Sequence, residues 1–157
     1  MALARILVDG YSLLHHWREL APGHPRFSGA ARDELIHCLT RYGDACGTPI
    51  SVFFDGSRPK RESAARSTSG VEVLYSRSGQ TADQLIERVV HRLRPYGEVL
   101  VVTNDRAERE TVIALGGMTA SCENFVRMVE SAMADWQEDL RVHNRRERSR
   151  FSRPHAR

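Results

Sequence analysis

What this 157-residue chain lacks narrows its class before anything it contains. Its three cysteines, Cys38, Cys46 and Cys122, are an odd number with no short paired spacing. A disulfide framework and a zinc site are thereby excluded, and reduced thiols in a cytoplasmic protein are expected. No apolar run is long enough to span a bilayer, and the N-terminal run, broken at Asp9, is too short and wrongly flanked for a secretory signal. The expectation is a soluble protein. Several catalytic signatures are missing as well. Asp9-Gly10-Tyr11 lacks the second aspartate of a phosphoaspartate-forming phosphatase. Gly116-Gly117 lacks the lysine and spacing of a P-loop, and no G-x-S-x-G elbow occurs. None of the seven histidines, the adjacent His15-His16 included, has metal-binding helical spacing with a matching acid.

What is present is a chain of single-domain size, 41% hydrophobic, with enough apolar residues for one core. The net charge of +3 conceals an asymmetry. Residues 141–157 carry seven arginines against one glutamate, so residues 1–140 are left at a net −3. An acidic body that handles a polyanion needs metal ions or local basic patches to overcome repulsion.

The organising stretch is Ile6-Leu7-Val8-Asp9-Gly10, an apolar run without polar alternation that ends at a carboxylate and a glycine. That is the pattern of a parallel strand covered on both faces. It recurs at Ile50–Phe54 before Asp55-Gly56, and at Val99–Thr103 before Asn104-Asp105. Val71–Tyr75 alternates and reads as a strand toward an edge; Met118–Ala120 reads as a brief fifth strand. Helical spacing predicts a first helix over Tyr11–Leu20. A second, capped by Ser28 and ended by Gly47-Thr48-Pro49, carries Leu35, Ile36, Leu39, Tyr42 and Cys46 on one face. A third runs from about Ala82 to Leu93, with Thr81 and Gln84 at capping-box spacing, and a fourth opens at Asp105 with Glu108 at the same spacing. Ser121 caps a last helix bearing Phe125, Met128, Val129, Met133 and Trp136. Trp17, at helical spacing from Leu13 and Leu14, reads as core rather than as a base-stacking platform.

In an open α/β sheet, ligands bind outside the carboxyl ends of the strands. Asp9, Asp55 and Asp105 stand at such ends, Asp83 stands in the first turn of the third helix, and Glu87 lies one turn further on. Clustered carboxylates hold hard cations such as Mg²⁺ or Mn²⁺, and such ions activate water for phosphodiester cleavage. Each acid also has a local explanation. Asp9 and Asp55 precede glycines, as turn aspartates do, and Asp83 and Asp105 are favoured at helix starts.

Five short segments occur in register with one family. Leu7-Val8-Asp9-Gly10-Tyr11, Ala31-Arg32-Asp33-Glu34-Leu35, Val52-Phe53-Phe54-Asp55, Thr81-Ala82-Asp83 with Ile86-Glu87, and Val102-Thr103-Asn104-Asp105 resemble the YacP-like branch of NYN domains, which are PIN-like metal-dependent ribonucleases. The resemblance covers about residues 5–130. It implies a three-layer α/β/α PIN-like (NYN) domain with a central, mainly parallel sheet. It also implies catalytic, metal-binding Asp9, Asp83 and Asp105, with Asp55 as a fourth or supporting acid and Ser12, Glu87 and Asn104 beside them. Ser12 is a departure, because the family usually has asparagine after the tyrosine; a serine still hydrogen-bonds a carboxylate or phosphate but is shorter. The implied activity is endoribonucleolytic cleavage of RNA with Mg²⁺ or Mn²⁺, on mRNA at the ribosome. A non-catalytic RNA- or ribosome-binding module is the alternative.

Residues 57–70 are polar and serine- and arginine-rich, the pattern of a surface loop. Arg58, Lys60, Arg61 and Arg66 in it are candidate RNA-backbone contacts, or simply solvated charges. Residues 1–140 are expected to form the nuclease domain. Residues 141–157 are expected to form an arginine-rich tail, either disordered or a helical extension that orders on a partner.

Overall fold

The computed structural model of the protein describes residues 3–56, 70–77 and 79–152. Its strands are β1 (Leu3–Asp9), β2 (Ile50–Phe54), β3 (Val71–Tyr75), β4 (Glu98–Val102) and β5 (Met118–Ala120); its helices are α1 (Gly10–His16), α2 (Gly29–Cys46), α3 (Ala82–Leu93), α4 (Arg106–Ala114) and α5 (Cys122–Ser152). The five strands form one sheet in the order β3-β2-β1-β4-β5, every pairing parallel. As the sequence pattern implies, β3 lies at an edge.

Strand alternation divides the sheet into two apolar faces. Ile6, Val8, Ile50, Val52, Phe54, Leu100 and Val102 face one side, where they pack with Leu13, Leu35, Leu39, Tyr42, Phe125 and Val129 of α1, α2 and α5. Leu7, Phe53, Val99 and Val101 face the other, against Ile86 and Val90 of α3 and Val112 of α4. Two buried faces explain why the strands are apolar throughout, and the result is the expected three-layer α/β/α fold. The order also fixes where a crevice opens. The chain travels from β1 outward through β2 to β3, then returns across the sheet to β4, so β1 and β4 are neighbours whose connections leave in opposite directions. That is a topological switch point, and Asp9 ends β1 there.

Local signals account for most element ends. Ser28 Oγ accepts the Ala31 N–H at 3.2 Å to open α2, and Gly47, at φ +73°, closes it in the left-handed conformation that glycine adopts without strain. Thr81 and Gln84 form the reciprocal capping box of α3, with both bonds at 3.1 Å. Ser121 Oγ accepts the Asn124 N–H at 3.2 Å at the start of α5.

Two expectations require correction. The first helix ends at His16, not Leu20, because Trp17 leaves helical geometry (φ −110°, ψ 76°); its ring is buried in the α1/α2/α5 core, as expected, while the chain turns toward Ser28. On α5, Trp136 is exposed because the last side chains packed on the core are Ala132 and Met133, and Met128 is exposed because it lies off the stripe of Phe125, Val129 and Met133. Residues 141–152 continue α5, the helical one of the two alternatives expected for them. No glycine or proline interrupts residues 122–152, and arginine and glutamate are good helix formers. The candidate loop residues Arg58, Lys60, Arg61 and Arg66 lie outside the described residues.

One contact ties the switch point to the core. Gly10, the first residue of α1, lies against the Phe54 ring so closely that a Cβ there would run into it. Phe54 is itself fully buried, with ring centroids 5.1 Å from Tyr11 and 5.5 Å from Tyr75. Gly10→Ala is therefore expected to destabilise the fold by about 1–3 kcal/mol through overpacking. At roughly 2–4 °C per kcal/mol for a chain of this size, a thermal melt that matches the parent would show that the ring yields freely.

Candidate metal centre

Alternation along β1 puts Asp9 on the face of Leu7, the face covered by α3 and α4. Both helices present an acid to it. Asp9, Asp83 of α3 and Glu108 of α4 each offer a carboxylate oxygen, and the three oxygens lie within 4.8 Å of one another. Asp9 and Asp83 are half-buried and Glu108 is fully buried, 2% exposed.

Each acid is held by its own element. Asp9 Oδ1 accepts the Ser12 N–H at 3.3 Å and caps α1, so the strand end and the helix start share one carboxylate. Asp83 follows buried Ala82 in the first turn of α3, and that turn is fixed from outside: Asp55 Oδ1 accepts the Ala82 N–H at 2.6 Å and the Ser76 hydroxyl at 3.5 Å. Ser76 Oγ accepts the Gly56 N–H at 3.0 Å, which closes the end of β2 onto the segment after β3. Asp55 therefore anchors the helix that carries Asp83.

Glu108 is the acid that spacing misassigns. At three residues from Asp105 it has the position of a capping-box glutamate, and half of the box is present: Asp105 Oδ1 accepts the Ala107 and Glu108 N–H groups at 2.9 and 3.2 Å. The return bond is not made, because the Asp105 N–H donates to Thr103 Oγ1 at 3.1 Å. The Glu108 side chain instead occupies the core-facing stripe of α4, one turn before buried Val112. That i, i+4 relation to the one apolar position α4 buries was the available sequence signal.

The electrostatics follow from burial. Neither Glu108 oxygen has a hydrogen-bond partner of ordinary geometry among the described residues, and the Thr103 hydroxyl favours its charged form less than burial and Asp83 oppose it. Burial, then contact with the Asp83 carboxyl, pushes Glu108 up to about 9, and the resulting carboxylic acid is itself the donor to Asp83. Asp83 is raised by burial, with that hydrogen bond opposing the rise and the charges of Asp105 and Asp55 adding to it. Burial pushes Asp9 up to about 6, against the Ser12 N–H and with help from Asp83, Asp55 and Asp105. Without a cation the cluster is held by a proton. Three converging carboxylate oxygens, all on acids raised by burial, fit a hard divalent ion.

The other candidate residues stand around this triad. Asp105 is exposed and committed through Oδ1 to the α4 cap, yet its charge reaches both Asp9 and Asp83. Glu87 is half-buried, one turn beyond Asp83, and is outside the three-acid group. Asn104 Oδ1 accepts the Cys122 N–H at 2.7 Å, and its amide donates to Glu123 at 3.0 and 3.2 Å; Glu123 also meets His16 Nδ1 at 3.0 Å. Ser12 Oγ accepts the Asn104 N–H at 3.2 Å and lies 3.5 Å from Cys122 Sγ. The Ser12 hydroxyl thus ties α1 to the end of β4 and the start of α5.

The proton that holds the metal-free cluster has a thermodynamic signature. Between the ordinary glutamate value and about 9, the folded chain retains a proton on Glu108 that the unfolded chain has released. Stability of the metal-free protein must fall as pH rises through that window and level off above it; Asp9 adds a fall that ends near pH 6. Thermal melts in chelator from pH 5 to pH 9 are expected to show the decline, and Glu108→Gln to flatten its upper part and raise the alkaline melting temperature. A parent melting temperature that rises across the same range would contradict the buried-acid description.

Comparison with known proteins agrees with this geometry. The sequence model of the YacP-like NYN domain matches residues 6–155. The Bacillus subtilis protein YacP is 28% identical over 127 residues, 80% of this chain and 75% of that protein. The crystal structure of Rae1 (YacP) from Bacillus subtilis superimposes with a TM-score of 0.77 at 25% identity, over 95% of this chain and 85% of that one. The structure of its W164L mutant gives 0.74 at 26% identity, over 90% and 84%. By sequence, fold and the acids gathered at the switch point, the chain belongs to the YacP-like NYN domain family of PIN-like nucleases.

Proposed function

We propose that the protein is a divalent-metal-dependent endoribonuclease that hydrolyses RNA phosphodiester bonds, with Asp9, Asp83 and Glu108 holding Mg²⁺ or Mn²⁺ and Asp105 adding charge at the rim. The observation that carries this reading is Glu108, a buried carboxyl group whose oxygen lies within 4.8 Å of those of two further acids at the switch point. When bound, the cation supplies an activated water and stabilises charge on the cleaved phosphate.

The chain's own contribution is placement and charge. Three carboxylates on three different elements offset the charge of a divalent ion without local flexibility, because α1 and α4 are capped by Asp9 and Asp105 and α3 is pinned by Asp55. Binding a cation requires Glu108 to release its proton, so cation affinity and activity rise with pH through the range in which Glu108 titrates. Asp55 and Asp105 are exposed at the rim of the centre. RNA, including mRNA at the ribosome, is the substrate class we assign, on family membership; the cytoplasm is the matching compartment. Among the described residues no helix is long and apolar enough to cross a membrane.

Purified Asp9→Asn, Asp83→Asn and Glu108→Gln proteins are each expected to lose RNA cleavage by about 100-fold or more while melting at or above the parent temperature in chelator, since the two aspartate changes remove like charge and Glu108→Gln makes permanent the neutral group that the metal-free protein already holds there. Asp55→Asn, which loosens the start of α3, is expected to lose about 10–100-fold. Cleavage that survives chelator, or survives in Asp83→Asn, would overturn the assignment. RNA binding with no cleavage would leave a binding module instead.

A further inference from the structure

The flank of α3 that faces away from α4 borders a groove that the metal centre does not use. α3 turns Ala82, Ile86 and Val90 into the core, and Asp83 joins the acidic cluster. The other flank, with Leu85, Arg88, Val89 and Arg92, lies over the part of the sheet next to the edge strand β3 and encloses about 520 Å³. Phe53 and Leu74 contribute from the sheet, and Arg77 and Gln80 stand at the end nearest Asp83.

The charges along this groove are of two kinds. Arg5 is neutralised, 3.7 Å from Glu72 and 3.0 Å from the Ser51 hydroxyl, which itself donates to Glu72 at 3.1 Å. Arg77, Arg88 and Arg92 are exposed and have no acidic partner among the described residues. Three uncompensated guanidinium groups on one groove stand out on a body, residues 1–140, that carries a net −3. Arg88 and Arg92 are one helical turn apart, so their Cβ atoms are about 5–6 Å apart. From Asp83 to Arg92 the helix rises roughly 13 Å. A row of cations over apolar side chains, beginning beside an acidic centre, is the chemistry that recognises a single nucleic-acid strand: guanidinium groups meet phosphates, and apolar surface lies under riboses and bases.

We infer that this groove holds the backbone of single-stranded RNA leading away from the metal centre, with Arg77, Arg88 and Arg92 on successive phosphates. The inference rests on the ribonuclease reading above and adds to it a binding track with residues and a direction. A concave groove takes one strand rather than a duplex, and contacts to phosphates carry no sequence preference. The track therefore sets how much RNA beyond the cleaved bond the enzyme holds, not which bond it cuts.

Steady-state cleavage in Mg²⁺ tests this with the full chain, using one RNA long enough to run from the centre past Arg92 and one too short to reach Arg88. For the long RNA, Arg88→Ala with Arg92→Ala is expected to raise KM roughly tenfold at low salt, to leave kcat near the parent value, and to reduce the salt slope of affinity by about two, one for each lost phosphate contact. For the short RNA the same variant is expected to match the parent. Arg88→Lys with Arg92→Lys keeps the charges and is expected to restore most of the affinity, which a folding defect would not allow. If the parent cleaves and the double alanine variant shows parental KM and salt slope on the long RNA, the track is wrong while the ribonuclease reading stands. Loss of kcat at unchanged KM, or equal effects on both RNAs, also overturns it. If the parent cleaves no RNA at all, the reading beneath it falls first.

Discussion

Taking a carboxylate out of water costs several kcal/mol unless a cation or a proton neutralises it. Glu108 forces that choice on this fold. It occupies the stripe of α4 where a packing residue belongs, beneath the end of β1 and beside α3, and no cation pairs with it among the described residues. The metal-free chain resolves the conflict by keeping a proton between Glu108 and Asp83. On the reading proposed above, a divalent ion would resolve it by replacing that proton. The pH dependence of stability, the affinity for cations and the catalytic reading all follow from this one buried group, and a hydrophobic residue in its place would pack α4 without any of them.

The rest of the architecture holds the three acids in place. A parallel sheet with both faces covered brings β1 and β4 together where the chain reverses its direction of travel, and strand alternation turns Asp9 toward α3 and α4. Polar contacts then fix the helix starts from more than one side. Asp55 and Ser76 join the end of β2 to the start of α3, and Ser12 and Asn104 join α1, β4 and α5. In this frame the serine that stands where the family usually has asparagine acts on the backbone of Asn104, so the site keeps its rigidity by a shorter bridge. The same sheet leaves the flank of α3 near β3 lined by arginine, which offsets the repulsion that an acidic centre exerts on a polyanion.

Much of this was legible in the sequence, for identifiable reasons. The uninterrupted apolar strands announced a doubly covered parallel sheet, and Thr81 with Gln84, Ser28 and Ser121 marked helix starts that the structure has at those residues. Asp9 and Asp83 were readable as members of one site because their places in strand and helix first turn are separately recognisable. Glu108 was not, because its spacing from Asp105 matches a capping box and only three-dimensional packing reveals that Thr103 has taken the return bond. Asp55 read as a fourth or supporting acid, and its oxygen accepts the Ala82 N–H; a strand end and a helix start 27 residues apart have no local signal that joins them. The end of α5 left two outcomes open for a related reason. The absence of core residues after residue 140 says that a helix has nothing to pack against, not that it stops, and arginine and glutamate propagate a helix without packing.

The most direct test of the account is a crystal of the protein soaked in Mn²⁺ and measured for anomalous scattering. The account predicts a peak between β1, α3 and α4, bonded at hard-cation distances of roughly 2.0–2.2 Å to oxygens of Asp9, Asp83 and Glu108. It also predicts that Glu108 turns no further than its present rotamer requires to reach the ion. A peak ligated by Asp105 and Asp55 with Glu108 still facing Asp83, or no peak at saturating Mn²⁺, would contradict it.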